Sequence, residues 1–173
     1  VVAIDVPYQL WSFRKQLRMT KQEIKQEYKD SEGKPEIKSK QRQRAREIAF
    51  AGMMAEVPKA DVVITNPTHF AVALKYDPSK SGAPRLVAKG ADLIAEQIKT
   101  VARANNVVIL TAPPLARSIY YHTKLFKEIA AGLYVAVAQV LAYVFHLKRY
   151  KQGAGPNPGS PPEVDVPPEL RRG

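Results

Sequence analysis

The chain has 173 residues, 45% of them hydrophobic, which suffices for one buried core plus extensions. It holds no cysteine, which excludes disulfides and thiolate metal sites, and His69, His122 and His146 lack any zinc-ligand spacing. A net charge of +11 directs attention to anionic partners, and the lack of a Gly-rich phosphate loop or nucleophile elbow means that no cofactor is expected.

The apolar start, Val1-Val2-Ala3-Ile4, is too short to span a bilayer, which needs about 20 apolar residues. Residues 7 to 30 read as a charged helix with a thin apolar stripe of Leu10, Phe13, Leu17 and Ile24. Such a helix has little to bury alone and depends on a membrane or a neighbouring subunit for its order. Trp11 and Phe13 fit headgroup level or the face of a partner helix equally well. Asp30-Ser31-Glu32-Gly33-Lys34-Pro35 interrupts the pattern and predicts a hinge.

A second helix is expected from Pro35 to Ala55, ending before Pro58. It sets Lys38, Lys40, Arg42, Arg44 and Arg46 against Glu36 and Glu47. This is either a solvated basic face or a surface for anionic lipid or an acidic partner. Nucleic acid is not expected, because the aromatic base-stacking signature is missing.

The compact part begins near Asp61. Val62 to Thr65 and Phe70 to Tyr76 are β-rich and a short loop apart, so they predict a hairpin. Asp77 to Pro84 reads as a surface turn, and Leu86 to Lys89 as a third strand. Ala91 to Ala104 predicts an amphipathic helix with Leu93, Ile94, Ile98 and Val101 toward the core. Val107 to Leu110 then completes a strand–helix–strand unit whose outer strands run parallel, which makes the sheet mixed. Pro113-Pro114 opens a helix carrying Leu115, Ile119 and Tyr120. The last helix repeats Leu133, Val137, Val140, Leu141, Val144 and Leu147 at helical spacing and must cover the sheet. His122 and His146 read as helix-surface residues, and the nearby tyrosines as packing groups. From Lys151 onward Pro and Gly crowd the sequence and predict a flexible tail.

Between the two hairpin strands stands Asn66-Pro67-Thr68-His69. An ordinary Pro-containing turn explains such a segment. A second chemistry is also open to it. Proline has no N–H, so the usual deamidation route is closed after Asn66. The remaining ring closure is attack of the Asn66 side-chain nitrogen on its own main-chain carbonyl, which expels Pro67 as a new amino terminus. A folded loop can favour that attack by holding the atoms close and storing strain. Thr68 supplies a hydroxyl and the following N–H as oxyanion donors, and His69 an imidazole that can carry the proton.

The surroundings decide between the two. Val57-Pro58-Lys59-Ala60-Asp61-Val62-Val63-Ile64-Thr65 precedes the tetrapeptide, and Phe70-Ala71-Val72-Ala73-Leu74-Lys75-Tyr76-Asp77 follows it. Together with Ala83-Pro84, Val87-Ala88-Lys89-Gly90, Ala112-Pro113-Pro114-Leu115-Ala116-Arg117 and Leu133-Tyr134-Val135-Ala136-Val137-Ala138, this resembles the FlhB/YscU/SpaS family of type III secretion export-switch proteins. The likeness extends upstream through Arg18-Met19-Thr20-Lys21-Gln22-Glu23 and Glu27-Tyr28-Lys29-Asp30-Ser31-Glu32-Gly33, and covers about residues 1 to 150. The run after the tetrapeptide resembles the flagellar branch more than the injectisome one.

The resemblance implies an α/β fold, a small mixed sheet of about four strands covered by helices, with an N-terminal helical linker and a disordered C-terminal tail. Its divisions are a juxtamembrane linker over 1–57, a compact autocleavage domain over 58–150 and the tail over 151–173. Several membrane helices are expected ahead of Val1, with Val1 to about Val6 ending the last of them and this portion cytoplasmic at the bacterial inner membrane. By resemblance the chain cuts itself between Asn66 and Pro67, with Thr68 and His69 assisting, and so switches export from rod and hook subunits to filament-type ones. The implied partners are other export-gate subunits, a hook-length ruler protein and export substrates, with an anionic membrane surface at Lys38, Lys40, Arg42, Arg44 and Arg46. An injectisome homologue, a scaffold that never cuts and a basic nucleic-acid-binding module remain alternatives. A turnover enzyme is not expected, since Asn66 is consumed in its own reaction.

Overall fold

The computed structural model describes residues 2–16, 23–25, 35–79 and 82–171. Leu17, the break at residues 30–34 and the upstream motifs over 18–22 and 27–33 lie outside the described residues. Two compact units are present, Val1–Ile48 and Ala49–Gly173. In the first, helix α1 (Val2–Gln16) leaves Tyr8, Leu10, Trp11 and Phe13 exposed. Helix α2 (Pro35–Glu56) carries Lys38, Lys40, Arg42, Arg44 and Arg46, all exposed.

The second unit is built on four strands: β1 (Val62–Asn66), β2 (Phe70–Lys75), β3 (Arg85–Ala91) and β4 (Val108–Thr111), in spatial order β3-β2-β1-β4. β2 pairs antiparallel with both β1 and β3, while β4 pairs parallel with β1. The sheet is mixed, as the sequence predicts. β3 and β4 do run in the same direction, yet they occupy opposite edges. The hairpin partner β2 already occupies the other edge of β1, so the crossover through α3 (Asp92–Ala104) delivers β4 to the free edge of β1.

Strand alternation sorts the core into two layers. Val62, Ile64, Val72 and Leu74 face α4 (Pro113–His122) and α5 (Tyr134–Lys151), through Leu115, Ile119, Val137, Val140 and Val144. On the other face Val63, Ala71, Ala73 and Ala88 meet Ala95, Ile98 and Ala102 of α3, with Met53 and Val57 beside them. Alanine on both sides brings α3 close to the strands. Gly90 marks the tightest point, where an added Cβ would lie 2.3 Å from Ile94 Cγ2. Residues 131–151 are long and apolar enough to cross a bilayer, with mean hydropathy 1.4, but the buried side of α5 covers the sheet.

The outer edge of β3 is covered by the segment after α4. Phe126 donates its N–H to Leu86 O, Leu86 to Lys127 O, and Ile129 to Pro84 O. This removes an open edge that would otherwise template pairing with another chain.

The expectation of a disordered tail needs correction. Residues 152–171 form no long regular element, as their Pro and Gly content dictates, but they lie on the core. Val166 is 1% exposed, Ser118 Oγ donates to Leu170 O at 2.6 Å, and Arg171 Nε donates to Val166 O. Proline stiffens the free chain and lowers the entropy lost on docking, so a few apolar contacts hold it.

Two substitutions test this packing. Val166→Ala is expected to cost about 1–2 kcal/mol by urea denaturation, and an unchanged midpoint would show that the tail is not seated. Gly90→Ala is expected to cost about 1–3 kcal/mol, because the clash partner is the Ile94 branch point rather than a flexible tip.

Candidate functional site

Asn66 ends β1 and pairs in register with Phe70, the first residue of β2. Pro67, Thr68 and His69 are left to reverse the chain, and all three are exposed. The His69 N–H donates to the Asn66 carbonyl at 3.1 Å, closing a four-residue turn. That carbonyl is the one the Asn66 side chain would attack. One oxyanion donor anticipated from the sequence, the N–H following Thr68, is therefore already on the oxygen that would carry the charge.

The Asn66 side-chain amide makes no hydrogen bond among the described residues and can turn toward its own main chain. The dipeptide recurs at Asn157-Pro158 in a different setting. There the side-chain oxygen accepts the Gly159 N–H at 3.0 Å, which commits it to a local turn.

The loop rests on α3, where β3 runs into the helix without a connecting loop. Asp92, the first residue of α3, has φ +46°, a left-handed conformation tolerated better by Asp than by most residues. Its N–H donates to His69 O at 2.9 Å, and its carboxylate Oδ1 lies 3.4 Å from His69 Nδ1. This pair is exposed, with 61% of the His69 side chain and 74% of the Asp92 side chain open to solvent, so it orients the ring more than it stabilises the fold. Further along the helix, Lys99 Nζ donates to Pro67 O at 3.1 Å and also pairs with Glu96. The Lys99 hydrogen bond holds the Glu96 carboxyl below its ordinary value.

The other side of the loop is anchored by aromatics. Phe70 lies 4.6 Å from Tyr120 and 5.6 Å from Tyr121, centroid to centroid. Lys89 fixes the end of α4 beneath them by donating to the Tyr120 and Thr123 carbonyls at 2.8 Å. Burial pushes the Lys89 ammonium below its ordinary value. Away from the loop, Tyr76, Pro84, Tyr134, Ala138, Leu141 and Phe145 line an open apolar groove of about 340 Å³.

All four residues singled out in the sequence thus lie in one turn. Sequence reasoning missed Asp92 and Lys99. They are seven residues apart, two turns along one helix face. The sequence reading of this helix instead follows Leu93, Ile94, Ile98 and Val101, and there it needs correction: Leu93 and Ile94 are exposed, while Ala95, Ile98 and Ala102 are the buried residues.

A family model described as the FlhB HrpN YscU SpaS Family matches residues 1–144. The flagellar biosynthetic protein FlhB of Escherichia coli (strain K12) is 48% identical over 170 residues, covering 98% of this chain and 44% of the relative. FlhB of Bacillus subtilis (strain 168) is 46% identical over 149 residues, covering 86% of this chain and 41% of the relative. The chain therefore spans less than half the length of these relatives. Among solved structures, the cytoplasmic domain of FlhB from Shewanella putrefaciens superimposes with a TM-score of 0.66 at 52% identity, over 70% of this chain and 94% of that one. A mutated EscU C-terminal domain matches with a TM-score of 0.51 at 27% identity, over 53% of this chain and 92% of that one. With the family model running from the first helix into α5 and a solved FlhB cytoplasmic domain 52% identical, the chain belongs to the FlhB HrpN YscU SpaS family.

Proposed function

We propose that this chain is the cytoplasmic domain of a flagellar type III export-gate component that cuts itself between Asn66 and Pro67. The cut switches export from rod- and hook-type subunits to filament-type ones. The observation that carries the reading is the His69 N–H on the Asn66 carbonyl at 3.1 Å. Identity of 48% to flagellar FlhB, against 27% to EscU, favours the flagellar branch.

The reaction proceeds in two stages. Asn66 Nδ2 forms a bond to its own carbonyl carbon and loses a proton, and the carbonyl oxygen becomes an oxyanion held by the His69 N–H. Collapse of this intermediate breaks the Asn66–Pro67 bond, and the Pro67 nitrogen takes up a proton. His69, oriented by Asp92, moves the proton between the two nitrogens directly or through water. The products are a C-terminal succinimide at Asn66 and a secondary amine at Pro67, and water later opens the succinimide. Since Asn66 is consumed, each chain reacts once.

The pieces stay together after the cut. β1 belongs to the first fragment and is bonded to β2 of the second over residues 62–66 and to β4 over residues 62–65. What changes is the loop, released from one covalent constraint. In this reading the molecule sits at the bacterial inner membrane with this portion cytoplasmic. Its partners are other gate subunits, the hook-length ruler protein and export substrates. Lys38, Lys40, Arg42, Arg44 and Arg46 face anionic lipid, to which clustered basic residues are drawn.

Intact mass under denaturing conditions, followed over hours on fresh protein, tests the cut. Fragments 1–66 and 67–173 are expected, with masses summing to the parent, or to the parent plus one water once the succinimide opens. A persistent single chain would instead favour a scaffold that never cuts. Asn66→Ala is expected to abolish cleavage with the fold retained, and a nicked product from it would rule out ring closure. His69→Ala is expected to slow cleavage by about tenfold or more, and a rate independent of pH in the parent chain would argue against proton transfer by His69 in the limiting step. The Asn157–Pro158 bond is expected to stay whole in every sample, since its side chain is tied to Gly159.

A further inference from the structure

We propose that Lys99 is a positioning residue for the cleavage reaction: its ammonium fixes the Pro67 carbonyl, and through it the turn that presents the Asn66 carbonyl for attack. The proposal rests on the self-cutting reading above and adds to it a residue outside the tetrapeptide.

The geometry follows from what proline leaves free. Its ring locks φ, so ψ of Pro67 is the torsion that decides where Thr68 and His69 go. The direction of the Pro67 carbonyl reports that torsion. Lys99 Nζ donates to this oxygen at 3.1 Å, from a side chain only 14% exposed. If the Pro67–Thr68 peptide turns over, the His69 N–H leaves the Asn66 carbonyl, and the oxyanion donor is lost. Lys99 therefore selects the peptide orientation in which that donor is in place.

Lys99 is itself held from behind. Glu96, one helical turn earlier, pairs with it, and Arg103 reaches the same carboxylate at 3.4 Å. With Asp92 on the His69 carbonyl, three carbonyls of the turn have a donor among the described residues: Asn66 from His69, Pro67 from Lys99 and His69 from Asp92. Two of these three donors come from α3. A helix that only covered the sheet would have no need to reach the loop at both its first residue and the residue two turns on.

The test compares Lys99→Met, which keeps the stem and removes the donor, with Lys99→Arg, which keeps a donor. In the Asn66→Ala background, where the chain stays whole, amide exchange at His69 is measured alongside the thermal midpoint. Lys99→Met is expected to speed His69 exchange by about tenfold with the midpoint unchanged, and Lys99→Arg to stay near the parent. With Asn66 intact, Lys99→Met is expected to slow fragment formation by about tenfold or more, and Lys99→Arg to recover most of the rate. Cleavage by Lys99→Met within twofold of the parent, unchanged exchange at His69, or an arginine variant as slow as the methionine one overturns the proposal, as does a fall in thermal midpoint that accompanies the rate loss, which marks a merely structural contact. A parent chain that never cuts overturns the cleavage reading and the rate effect assigned to Lys99. The exchange result is read separately and decides whether Lys99 fixes the turn.

Discussion

The register that pairs Asn66 with Phe70 governs the rest of the site. Because the side-chain period of a strand is two, a slip by one residue would turn Val62, Ile64, Val72 and Leu74 away from α4 and α5. The apolar layers on both faces of the sheet therefore fix where the chain must reverse, and only Pro67, Thr68 and His69 are left to do it. A three-residue reversal puts the His69 N–H back on the Asn66 carbonyl. Core packing thus sets the position of a hydrogen bond on the exposed rim.

The same register brings α3 to the loop. Phe70 is opposite Ala91, so His69 falls opposite Asp92, where β3 gives way to the helix. Gly90 allows that abrupt junction, and Ala71, Ala73, Ala95 and Ala102 let the helix lie close beneath the strands. A bulkier layer would lift α3 and carry Lys99 away from Pro67. The left-handed φ at Asp92 costs on the order of 1–3 kcal/mol and is held by the packing around it. Conformational strain beside the Asn66–Pro67 turn is thereby maintained by the core rather than by the loop.

The proposed cut between two paired strands would separate chemistry from disassembly. β1 has neighbours on both sides, and its Val62, Val63 and Ile64 are fully buried. Opening the loop removes none of these contacts. The proposed nick would therefore change a small surface patch, including the Phe70, Tyr120 and Tyr121 cluster beside it, while leaving the fold standing. The tail adds to this economy of order: Val166 and Leu170 tie it to the α4–α5 face without a regular element.

Much of the fold was legible in the residues themselves. β-rich apolar runs around Val62 and Val72, helical spacing in α3 and α5, and the Pro-Gly punctuation gave the elements and the mixed sheet. The chemistry proposed for Asn66 and Pro67 was legible locally, because the blocked deamidation route depends only on adjacent atoms. What the sequence by itself could not decide was everything that depends on distance between elements. β4 pairs with β1 rather than with β3, a choice made by which edge was free. Val166 docks, although its Pro- and Gly-rich surroundings carry no periodicity to signal it. Asp92 and Lys99 reach the loop only because alanines in the core let their helix approach. Local chemistry is written in neighbouring residues, but the placement of a helix face is a property of the whole packed layer, and it was the tertiary structure that brought these two side chains to the bond.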